Sequence, residues 1–84
     1  MAHDNVHGSV SRLYTNRAGC NIRLDAHTDK YFQLQLDHPN YNGIYSLLVV
    51  AAVNRYRVRL RLENYEKSTP PSTLVRYLVV DWPQ

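Results

Sequence analysis

Residues 55 to 63 read "RYRVRLRLE", with arginine at every second position and Tyr56, Val58, Leu60 and Leu62 between. Period two belongs to an extended strand that turns one face to an apolar core and the other to water. A helix would scatter these arginines around its circumference. The segment therefore commits the chain to β structure at about 56 to 63. "YFQLQLD", residues 31 to 37, follows the same rule: Phe32, Leu34 and Leu36 share one face, and Tyr31, Gln33, Gln35 and Asp37 the other. "VSRLY" (10–14), "NIRLD" (21–25) and "LVRYLVVDW" (74–82) carry β-branched, aromatic and alternating residues at strand density. Short polar turns, "TNRAGC" with Asn16 and Gly19 and then "AHTDK", join the first three strands into an antiparallel meander.

The alternation stops at "DHPNYN". Pro39 ends the third strand, and the Asn40 side-chain oxygen is placed to cap a helix. Over residues 41 to 54, Tyr41, Ile44, Tyr45, Leu48, Ala51 and Ala52 recur at helical spacing. Leu47, Val50 and Val53 form a second apolar strip beside them. The polar loop "NYEKSTPPST" separates the last two strands. Three strands, a helix and two strands is the order of an OB-fold. The expected class is thus mostly β, a five-stranded OB-fold-like Greek-key barrel with one helix between strands three and four. An open sheet with one helix packed on it is the rival layout. At 84 residues there is room for one modest core, so a single domain over 10–84 follows a flexible segment at 1–9.

Charge and cysteine content narrow the function classes. The net charge is +3, a mild bias for a nucleic-acid binder. Of the 10 basic residues only Lys30 and Lys67 are lysine; arginine is favoured where planar or stacked contacts matter, and the base composition of a genome produces the same bias. Cys20 is the single cysteine, which excludes an internal disulfide and a cysteine-based structural metal site. The opening "MAHDNVHGSV" has no basic segment followed by an apolar stretch, and the run Leu47 to Val53 is too short to span a bilayer. A cytoplasmic protein is expected from the sequence as it stands, an exported one only if a signal peptide has been removed.

Three stretches, "VSRLYTNRAGCNIRL", "YFQLQLDHPNYNGIYSLLVVAAVNRYRVRLRL" and "VRYLVVDW", together resemble small bacterial OB-fold proteins related to the receptor-binding B subunits of pertussis-like and subtilase-type toxins. The resemblance covers about Val10 to Trp82. It rests on a first strand, a Gly-Cys turn, and a helix with consecutive alanines running directly into strand four. It implies an OB-fold, a ring whose helices face the centre, and glycan binding. Exported members typically pair a second cysteine with the one near the second strand, whereas Cys20 is alone. No sugar-binding residue carries over position by position.

Two candidate surfaces emerge from the residues themselves. Arg57, Arg59 and Arg61 lie about 6.6 Å apart along one strand face, close to the phosphate spacing of a single nucleic-acid strand. Tyr31 and Tyr77, with Tyr14 and Trp82, are the aromatic platforms that could join them. The competing reading is a solvated face paired across strands with carboxylates such as Glu63 or Asp37. The second surface is the helix strip Leu47, Val50 and Val53, in excess of what covering a small barrel needs and therefore a self-association face. Asp25, His27 and Asp29 in "DAHTD" read as hairpin-turn residues rather than metal ligands. No phosphate loop, serine-nucleophile motif or paired-carboxylate signature is present. The expectation is a non-enzymatic binding and assembly module without cofactor. The favoured partner is another copy of the chain, and single-stranded nucleic acid and a glycan are the alternatives.

Overall fold

The computed structural model describes residues 6–65 and 72–82. They form β1 (Val6–Asn16), β2 (Gly19–Leu24), β3 (His27–Gln35), α1 (Tyr41–Asn54), β4 (Arg57–Leu62) and β5 (Val75–Asp81). The five strands make one sheet in the order β3-β2-β1-β4-β5, with every neighbouring pair antiparallel. The described residues are mostly β with one α-helix, as the alternation and its single interruption imply.

β1 serves two partners. Its first part, Val6 to Ser9, pairs with Leu60 to Arg57 of β4, and its second part, from Val10 onward, pairs with β2. A register shift between Val10 and Arg12 marks the change of partner, as a bulge bends a strand and sharpens its twist. This corrects the strand start expected at Val10. Residues 6–9 are strand rather than flexible lead, while the rest of that segment, 1–5, lies outside the described residues. The reason is local: "VHGS" has no periodicity, and only Val6 reaches the core, where it is 2% exposed.

The core is filled from both kinds of element. Ile22, Leu24, Phe32, Leu34, Val58, Leu60, Leu62 and Val75 come from strands, and Ile44, Leu48 and Ala51 from α1. Each large side chain fully buried here contributes on the order of 1.5–3 kcal/mol. Leu36 does not join them. β3 ends at Gln35, Leu36 enters a turn with its N–H donating to Ala18 O, and its side chain is exposed. The three-residue face expected on this strand is therefore Phe32 and Leu34 only.

α1 coincides with the stretch marked out by its spacing, but its first turn is built differently. Asn40 occupies the N-cap position without a side-chain capping bond. Its carbonyl accepts from Ile44 N–H to open the helix, while its own N–H donates to His38 Nδ1 at 3.0 Å. His38 Nε2 then donates to Arg76 O at 2.6 Å and ties the helix entry to β5. The two contacts fix the His38 tautomer with its proton on Nε2. At the other end Arg55 adopts φ 58°, and Tyr56 N–H donates to Ala51 O at 2.9 Å, a left-handed helix termination.

Beyond the ladders, β3 and β5 meet at a parallel bridge between Gln33 and Leu74, where Gln33 N–H donates to Thr73 O at 2.8 Å. The two outermost strands of the sheet thus touch.

Candidate functional site

The β4 arginines alternate with Val58, Leu60 and Leu62, which the core buries, so Arg57, Arg59 and Arg61 share the outer face. Their neighbours occupy much of their hydrogen-bonding capacity. Arg57 Nη2 donates to His7 Nδ1 at 2.9 Å, which makes Nδ1 the unprotonated nitrogen of that ring. Arg59 meets Asp81 from β5 through Nη2 to Oδ1 at 3.1 Å and Nε to Oδ2 at 2.9 Å. The Nε approach is an ion-pair contact outside hydrogen-bond alignment. Arg61 lies opposite Tyr77 in the β4–β5 ladder. Cross-strand pairing is thus a large part of what this face does, with Asp81 in place of the Glu63 or Asp37 named from sequence.

Tyr31 does not belong to that face. It sits on β3, separated from β4 by β2 and β1 in the sheet, and gathers a different cluster. Its ring meets Tyr14 edge-on with centroids 5.2 Å apart. Arg23 places its guanidinium 5.8 Å from the Tyr31 centroid, and Arg12 Nη1 donates to the Tyr31 hydroxyl at 3.3 Å. That hydrogen bond is the first cause of a raised Arg12 pKa. Asn21 sits between Tyr14 and Gln33 in the ladders, with its amide nitrogen buried and without a hydrogen-bond partner. Arg12, Arg23 and Asn21 were not singled out from the sequence. Period two puts each of them on the outward side of its strand, but only the pairing of β1 with β2 and of β2 with β3 sets them side by side.

A cleft of about 390 Å³ opens where α1 ends beside the paired ends of β4 and β5, lined by Arg55, Tyr56, Arg57, Asp81 and Trp82. The Tyr56 and Trp82 rings are 5.7 Å apart at 42°. Tyr56 also packs against the core, whereas Trp82 remains 55% exposed. Of these residues the sequence marks Arg57 and Trp82 as candidates. It gives no cue that the chain turn at Arg55 would bring them together.

On α1, the inward residues Ile44, Leu48 and Ala51 are buried, and the strip expected to face outward does so. Val50 is 46% and Val53 76% exposed, and Leu47 is half-buried at the flank. No residue from Tyr41 to Asn54 is charged.

Cys20 is fully buried, and removal from water pushes its thiol pKa up to about 11. Asp25 accepts from Ser9 N–H at 3.0 Å, and His27 packs edge-on against Phe32. Among the described residues no three His, Cys, Asp or Glu side chains gather to hold a metal ion, and no helix is long and apolar enough to cross a membrane. No family model, curated protein or solved structure matches the chain.

Proposed function

We propose that the chain is a non-enzymatic assembly and binding module, an OB-fold-like Greek-key barrel that self-associates through the outer face of α1. The contact between Gln33 and Thr73 supports barrel closure, because it links the two strands that would otherwise be edges. The order β3-β2-β1-β4-β5, with a helix that follows β3 and precedes β4 in the chain and packs into the core, supports the OB-fold reading.

The observation that carries self-association is the uncharged helix with Val50 and Val53 turned to water. In a two-fold contact a charge near the axis meets its own copy, a like charge. This face brings none. A protein of net charge +3 that leaves its helix free of Lys and Arg offers a place where two copies approach without local repulsion. A glycan-binding role rests on the resemblance alone and gains no residue from the fold.

Light scattering tests the assembly. The wild type should weigh a multiple of 9.8 kDa at high micromolar concentration. Val50→Glu, which places a carboxylate against its own copy, should return it to the monomer mass with an unchanged circular dichroism spectrum. A wild type that is already monomeric at that concentration sinks the proposal.

A further inference from the structure

The cleft at the end of α1 holds an uneven set of groups. Its carboxylate, Asp81, already engages Arg59 through both oxygens. Arg55 is exposed, with no side-chain hydrogen bond or ion pair among the described residues, and Arg57 is exposed and donates to His7 Nδ1. Arg55 and Arg57 thus line the cleft beside an exposed indole that a fixed tyrosine backs, and the wall between them is mostly apolar. Guanidinium groups take phosphate oxygens through a planar fork of donors, and an indole face takes a planar ring. A sugar would draw on acceptors for its hydroxyls, and the Asp81 carboxylate is shared with Arg59.

We propose that this cleft binds single-stranded nucleic acid, with a base stacked on Trp82 and the adjoining phosphates held by Arg55 and Arg57. The backbone at Arg55 agrees with such a role. It sits at the left-handed helix terminus, φ 58°, where glycine would be unstrained and a side chain costs conformational energy. The site uses only Arg57 of the three β4 arginines and does not need Tyr31 or Tyr77.

Trp82 is the single tryptophan, so its fluorescence reports on the cleft directly. A short oligo-dT at low salt should quench it, with a log–log salt slope of about −1.4 for two single-strand phosphates. Arg57→Gln and Arg55→Gly should each flatten that slope by about 0.7. Arg55→Gly is the more useful variant because it relieves the left-handed strain, so a loss of binding there cannot be a loss of fold. An abasic strand of equal length should bind roughly 5- to 160-fold more weakly, the range expected for one stacked base. Thymidine monophosphate should quench far less than the strand. If the monophosphate competes as well as the strand, the ligand is a free nucleotide and the strand proposal falls. It falls equally if oligo-dT leaves the fluorescence unchanged, if the abasic strand binds as tightly, or if both arginine variants bind like the wild type. Quenching by an anionic oligosaccharide where oligo-dT gives none would assign the cleft to a glycan.

Discussion

Cys20 and Gly19 are adjacent and constrain the molecule in different ways. The buried thiol is held protonated, with its pKa raised to about 11 by desolvation. In the unfolded chain the thiol ionises near its ordinary value, so folding gains nothing from this difference below that value. As pH rises past 9.0 toward 11 the unfolded state is favoured, by up to about 1.4 kcal/mol per pH unit. Urea titrations at increasing pH should show the wild type losing stability across that window faster than Cys20→Ala does. Parallel curves for the two proteins would mean that the thiol is not desolvated. Gly19 has φ 140°, and a Cβ there would collide with the Leu34 carbonyl. Gly19→Ala should cost more than about 2 kcal/mol, through left-handed strain together with a forced shift of β3. An unchanged urea midpoint would show that the β2–β3 ladder can move aside. The need for glycine here is only half legible in sequence: "AGC" reads as a turn, and the close approach of β3 does not. Residue identity also says little about pairing. The alternation of Arg57, Arg59 and Arg61 announces a polar face, but His7 and Asp81, the groups that meet it, lie far away in the chain.

Among the elements, α1 is the one best marked in the chain, because its period changes from two to 3.6 at Pro39 and back to two at Tyr56. What the pattern could not give was the build of its first turn, where the Asn40 side chain makes no capping bond and the Asn40 N–H donates to His38 Nδ1. The helix is rich in β-branched residues and poor in helix formers such as Glu, Lys and Arg, so packing rather than intrinsic propensity must hold it. Leu48→Ala should accordingly cost about 2–5 kcal/mol, as it empties a fully buried site. Val53→Ala, at a position 76% exposed, should stay within about 0.5 kcal/mol in the monomer. Similar losses for both in dilute urea titrations would place the outer face in the core and defeat the division of α1 into two faces. On β4 and β5 the Arg59–Asp81 pair is roughly half-exposed, and solvent screening limits it to less than about 1 kcal/mol. Asp81→Asn should therefore shift the urea midpoint little. β1 was the least legible element: its first four residues earn their place by pairing with β4, a contact about fifty residues away in the chain.

At the level of the whole molecule, a radius of gyration of 12.0 Å matches the ~12 Å expected of a compact chain of this length. The class and the order of elements were readable because alternation, Pro39 and the helical stripe are all local signals. The β1-β2-β3 meander was readable from its short turns, whereas β1–β4 pairing and the β3–β5 meeting were not, since they are set by distant partners and by a bulge. Closure of the barrel is the part of the proposed fold that can be read at a single atom. In an antiparallel ladder successive N–H groups point alternately to the two sides. Gln33 N–H points to Thr73 and hence away from β2, so in an open sheet it would face water. In a closed barrel it is shielded and should exchange with deuterium as slowly as amides in the interior of β2, which open only with the whole fold. Hydrogen exchange followed by NMR at neutral pH reads this directly. The neighbouring Gln35, which lies on the same side of β3 near the strand end, provides an exposed reference within the element. Gln33 exchanging as fast as Gln35 would leave β3 and β5 as free edges and return the molecule to an open five-stranded sheet with a helix on one face. Slow exchange at Gln33 would instead make the two outer strands of the sheet neighbours in solution, which is the condition for a barrel.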